Sequence, residues 1–117
     1  MLLEITENIN KYHEKDWKMK KLVTEIAAFI QERNWRNYHS PKNLAMALSV
    51  ETSEIVEIFQ WMTQEESAAV DAQTLDHIEE EIGDVMIYLT TLADSFGLDP
   101  VDCARKKLCK NAQKYPV

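Results

Sequence analysis

Glycine occurs only twice and proline three times in 117 residues. That is too few turn-formers for an all-β sandwich or barrel, which reverses direction about every ten residues. No apolar run approaches the roughly 18 to 20 residues of a membrane span, and Met1-Leu2-Leu3-Glu4 lacks the basic stretch and apolar core of a secretion signal. A cytoplasmic protein with no membrane partner is expected. The two cysteines, Cys103 and Cys109, fall on different faces of an expected helix, so both are read as reduced thiols with no metal motif between them. Positive charge is scarce too. Lys and Arg number 13 against 20 Asp and Glu, a net charge of −7, which repels nucleic-acid polymers and anionic lipid. A small polyanionic substrate is admissible only where metal ions screen it.

What is present is a globular composition, 45% hydrophobic and 28% charged, at a length that suits one domain over residues 1–117. Helical periodicity predicts segments over about residues 2–15, 16–33, 41–63, 74–96 and 100–114. The first is weakly amphipathic, and residues 1–18 are expected to form a packing or oligomer arm. The second carries Leu22, Ile26, Phe29 and Ile30 on one face. An aromatic-rich loop follows, Trp35 to Pro41, in which Ser40 is a natural N-cap and Pro41 the first helical residue. Residues 63–74 read equally as a continuation, a break or a short extra turn. Gly97 stops the next helix and Asp99-Pro100 starts the last. The fold class is therefore all-α, a bundle of four or five helices.

Four acids break the pattern. On 41–63 the apolar stripe is Leu44, Ala47, Leu48, Ile55, Ile58 and Met62, and a helical projection puts Glu51 in its middle and Glu54 at its edge. On 74–96 the stripe of Ile78, Val85, Tyr88, Leu89, Leu92 and Phe96 encloses Glu81, with Asp84 beside it. A carboxylate drawn out of water costs several kcal/mol unless paired or bound to a metal, and no Lys or Arg lies on either stripe. Spacing i, i+3 brings each pair onto one face, and two such helices side by side make an all-oxygen site that favours Mg²⁺ or Mn²⁺ over Zn²⁺. Glu57, Glu65, Glu66, Glu79 and Glu80 read instead as solvated edges. A ferritin-like di-iron site would want Glu-x-x-His, and Thr74 stands three residues before His77.

Gly83 lies between Glu81 and Asp84, where it costs up to about 1 kcal/mol relative to Ala. It marks either close helix packing or access for a bulky ligand. Trp35, Tyr38, His39, Trp61 and Tyr88 gather near the ends of the acid-bearing helices, and Trp61 could stack on a base. The basic run from Lys106 to Lys114 suits a helix C-terminus, and it could equally supply phosphate donors.

These residues resemble a known family. Glu51-x-x-Glu54, then Phe59-Gln60-Trp61, then Glu81-x-x-Asp84, then Asn111-x-x-Lys114-Tyr115-Pro116, resemble the all-α nucleotide pyrophosphohydrolases of the MazG superfamily, and within it the small dCTP pyrophosphatases. The resemblance spans about residues 22–116, including Asn34-Trp35 and Tyr38-His39-Ser40-Pro41-x-Asn43-Leu44. It implies a Mg²⁺-dependent enzyme, with Mn²⁺ as a substitute, that cleaves dNTPs to the monophosphate and pyrophosphate, with dCTP or a modified dCTP expected to lead. It implies Glu51, Glu54, Glu81 and Asp84 as metal ligands, with Glu51 or Glu54 also accepting the proton of the attacking water. Trp35, His39, Trp61 and Tyr88 would line the base and sugar pocket, and Lys107, Asn111, Lys114 and Tyr115 would approach the phosphates. A homodimer or homotetramer clearing surplus nucleotides is implied as well. Ile26 stands where some dCTP enzymes carry histidine, which leaves a purine dNTP preference as an alternative. Readings from other classes are a non-catalytic helical interaction or regulatory protein that retained the fold, and an ion-storage bundle.

Overall fold

The computed structural model describes the backbone over residues 2–117 and the side chains of residue 2 and residues 17–117. The arm role assigned to residues 1–18 lies almost entirely outside the described side chains. All regular structure among the described residues is helical: α1 (Leu2–Glu32), a 3-10 turn (Trp35–Tyr38), α2 (Pro41–Phe59), α3 (Gln64–Ser67), α4 (Ala72–Asp94) and α5 (Pro100–Lys114).

Two boundaries differ from the sequence reading. The segments expected over 2–15 and 16–33 are one continuous helix, which ends where Asn34 takes a left-handed backbone at φ 56°. The helix expected over 41–63 stops at Phe59, because Thr63 caps a new one: its hydroxyl oxygen accepts from the Glu66 N–H at 3.1 Å, and its O–H donates to Glu66 Oε1 at 3.2 Å. The stretch read three ways is therefore a break followed by a short helix. The expected aromatic loop is wound into the 3-10 turn.

The other punctuation behaves as its chemistry requires. Ser40 accepts from the Asn43 N–H at 3.2 Å with Pro41 in the first turn, and Asp99 accepts from the Val101 N–H at 2.7 Å ahead of α5. Asp71 does the same for α4 through the Thr74 N–H at 2.7 Å. Gly97, at φ 65°, closes α4 with a Leu98 N–H to Ala93 carbonyl bond of 2.9 Å, the αL ending that favours glycine.

Helices α2 and α4 form the principal packed pair, α1 lies against α4, and α5 meets α4. The arrangement is open. Its radius of gyration is 17.7 Å, against about 13 Å for a closely packed domain of 100 residues. Among the described residues the buried hydrophobic side chains are Met19, Ile26, Ile30 and Leu44. Phe29, Leu89 and Phe96, expected on inward stripes, are exposed. Leu75, Ile82, Leu89 and Phe96 follow one another at seven-residue steps on one side of α4 or just past its end, and all four are exposed. No helix is long and apolar enough to cross a membrane among the described residues. Cys103 and Cys109 are both free and exposed.

Gly83 is half-buried, yet a Cβ added there meets no atom within 4 Å. Close packing within this chain does not explain it. Gly83→Ala is therefore expected to raise stability by up to about 1 kcal/mol, read as a higher Tm in thermal unfolding. A lower Tm would place another molecule against that face.

Candidate metal centre and adjoining cavities

Packing of α2 on α4 brings together the two acid pairs, each made by the i, i+3 spacing of its own helix. Ligand oxygens of Glu51, Glu81 and Asp84 lie within 4.8 Å of one another. The Glu54 carboxyl adjoins both Glu51 and Glu81 and raises the pKa of each, so the four carboxyls form one cluster. Glu81 is only 8% exposed, Glu51 and Glu54 are half-buried, and Asp84 is exposed.

The electrostatics are those of crowded acids. The Glu51 carboxyl is pushed up to about 7, first by burial, then by its hydrogen bond to Glu54 and the charges of Glu54, Asp84 and Glu81. Glu81 is raised first by its hydrogen bond to Glu54, then by burial and the Glu54 and Asp84 charges, against the opposing pull of His77. Glu51 Oε2 and Glu81 Oε2 are buried without a hydrogen-bond partner. Carboxyls this close need shared protons or a cation between them, and oxygen-only donors of this kind suit a hard divalent ion. Their chemistry fits Mg²⁺ or Mn²⁺.

Two cavities border the cluster. One, of about 300 Å³, has Glu51 and Asp84 in its wall beside Phe29, Trp35, His39 and Tyr88. Trp35 meets Phe29 edge-on at 5.6 Å and 75°, and His39 at 6.5 Å. The His39 Nδ1 is buried and unpartnered. The other, of about 560 Å³, is polar and lined by Glu54, Glu57, Thr74, His77 and Glu81 among others. Among the described residues, neither has a lysine or arginine in its wall.

The chain thus brings the four acids together with Trp35, His39 and Tyr88. It leaves Trp61 apart: this ring sits in the turn after α2, 89% exposed and in neither cavity wall. The α5 residues Lys107, Asn111, Lys114 and Tyr115 also line neither cavity, and the Lys114 ammonium lies over its neighbour's ring, Tyr115, at 5.3 Å. Sequence reasoning missed Phe29 as a cavity wall, having placed it on a core stripe. It also missed His77, weighed only as a di-iron ligand, although its i, i+4 step to Glu81 was there to be read.

Residues 46–117, which carry all four acids, match the family model described as MazG-like. The chain belongs to the MazG-like family. This MazG-like chain is 38% identical over 101 residues to the dCTP pyrophosphatase 1 of Rattus norvegicus, a match covering 85% of the chain and 58% of the relative. The dCTP pyrophosphatase 1 of Homo sapiens is 36% identical over the same shares. The chain therefore spans less than two thirds of the length of these relatives. Among solved structures, a pyrophosphatase from Archaeoglobus fulgidus superposes with a TM-score of 0.76 at 38% identity, covering 86% of this chain and 94% of that one.

Proposed function

We propose that this chain is a metal-dependent nucleoside triphosphate pyrophosphohydrolase that converts dNTPs, with dCTP or a 5-substituted dCTP preferred, to the monophosphate and pyrophosphate. The observation that carries the reading is a cluster of carboxyls with unpartnered buried oxygens, in which two members, Glu51 and Asp84, stand in the wall of an aromatic cavity of about 300 Å³. The activity for which the dCTP pyrophosphatase relatives are named supports it.

Glu51, Glu54, Glu81 and Asp84 would hold Mg²⁺, or Mn²⁺ in its place. Bound there, the ion would neutralise phosphate charge and polarise the phosphoryl oxygens and the attacking water. The chain's own part is binding, orientation and proton transfer. Trp35 and Tyr88 enclose the base, and the acids next to them fix where the triphosphate lies. Water adds across the α–β phosphoanhydride: its oxygen bonds to phosphorus, the bridging oxygen leaves with pyrophosphate, and Glu51 or Glu54 takes the proton.

The cavity wall supports the proposed base preference. A small aromatic enclosure disfavours purines by size, and the unpartnered His39 Nδ1 is a polar group available to a pyrimidine edge. Stacking is worth about 1 to 3 kcal/mol per base, so Trp35→Ala is expected to lower kcat/KM roughly ten- to a hundredfold on every accepted base. Steady-state kinetics with several dNTPs checks this, and a loss confined to one base would replace stacking with edge recognition.

The unpartnered Leu75, Ile82, Leu89 and Phe96 stripe supports a homodimer or homotetramer. Such an assembly would let Trp61 and the α5 residues Lys107, Asn111, Lys114 and Tyr115 reach a neighbouring copy's substrate. In the cell the role would be clearance of surplus or non-standard nucleotides in the cytoplasm. A panel of dNTPs and NTPs with Mg²⁺, scored for monophosphate and pyrophosphate, tests the whole reading. Release of orthophosphate, or no turnover of any triphosphate, would overturn it.

A further inference from the structure

The two oxygens of Glu81 have different surroundings. Oε1 lies 3.4 Å from Nε2 of His77, while Oε2 is buried with no hydrogen-bond partner. His77 sits one turn earlier on α4, where helix geometry stacks i and i+4 on one face. It also shares the wall of the polar cavity with Glu54 and Glu81. Nothing in the assigned ligand set uses it.

We propose that His77 is a positioning residue of the metal centre, its imidazole holding Oε1 of Glu81 so that Oε2 is presented to the ion shared with Glu51 and Asp84. This role rests on the metal reading above. The terminal torsion of a glutamate is broad and twofold, so an unheld carboxylate samples orientations that offer either oxygen. A donor that occupies one oxygen removes that freedom. Outer partners of this kind change metal affinity by about ten- to a hundredfold. The exposures of the two side chains suit this division of roles. Glu81 is 10% exposed and confined, whereas His77 is 56% exposed and can follow the carboxylate when an ion enters. An Nε2–H tautomer supplies the donor without adding charge beside the ion.

The test is Mn²⁺ binding to the full chain without nucleotide, followed by the electron paramagnetic resonance signal of the free ion, with the metal-free Tm measured in parallel. His77→Ala is expected to weaken Mn²⁺ binding about tenfold or more at an unchanged metal-free Tm. His77→Gln, whose amide still donates, is expected to restore most of the affinity. Equal Mn²⁺ affinity in wild type and His77→Ala overturns the positioning role and leaves the metal centre standing. Equal losses in both variants overturn it as well, as does a nitrogen coupling to bound Mn²⁺ that vanishes in His77→Ala and makes the ring a direct ligand. A wild type that binds no Mn²⁺ removes the metal centre and this role together.

Discussion

Glu54→Gln is expected to lower turnover by about a thousandfold or more while leaving the metal-free fold intact. Lewis-acid stabilisation is worth several kcal/mol, and each 1.36 kcal/mol is tenfold in rate, so weakening the site proposed to hold the ion would forfeit about three decades. Glu54 is the member of the cluster whose carboxyl acts on both Glu51 and Glu81, raising the pKa of each. Glutamine keeps its shape and removes one negative charge, and its amide donates to either neighbour without needing a shared proton. In the absence of metal, repulsion within the cluster falls, so the Tm of the variant should equal or exceed that of the wild type. Asp84→Asn should behave alike. Pyrophosphate release and metal-free melting curves decide: wild-type turnover would remove Glu54 from the centre, and a collapsed metal-free fold would make its role structural.

Much of this centre was legible in the sequence because it is local. The projection that put Glu81 inside an apolar stripe matches a residue 8% exposed, and the caps at Ser40, Asp99 and Gly97 are short-range backbone chemistry. What escaped depends on competition or on tertiary packing. The α2 helix stops at Phe59 because the Thr63 side chain offers the backbone N–H of Glu66 a better partner, which a stripe that continues to Met62 conceals. Leu89 and Phe96 were read as inward because periodicity reports that a face is apolar and does not report which molecule covers it. The same limit applies to Trp61, whose place after the acid pair suggested a cavity wall and whose ring stands in solvent within one chain. The division of the acids between an aromatic and a polar cavity comes from the docking of α2 on α4, and no single-helix projection contains it.

In the metal-free protein, stability is expected to fall as pH rises from about 5 to 8, and saturating Mg²⁺ is expected to reverse that slope. The sign follows from where the protons sit. Glu51 ionises near its ordinary value of 4.5 in the unfolded chain and near about 7 in the folded one, so within that window the native state binds more protons. Raising the pH therefore favours unfolding, and the penalty is complete above about 7. Glu81, also raised, adds in the same direction. Asp71 is lowered from 3.8 by its bonds to Thr74, but it acts below this window and cannot mask the trend. A divalent ion binds the ionised cluster, so its affinity grows with pH as the apo protein weakens. At a hundred times Kd the linkage supplies about 2.7 kcal/mol, and at about 4 to 8 °C per kcal/mol for a domain near this size the Tm should rise by roughly 10 °C or more at neutral pH. Thermal unfolding from pH 5 to 8, with Mg²⁺ and with chelator, measures both effects. Glu51→Gln should flatten the chelator curve and shrink the metal shift. A chelator curve that rises with pH would mean that another group governs the window, and the absence of any Mg²⁺ shift at neutral pH would remove the four acids from metal binding altogether.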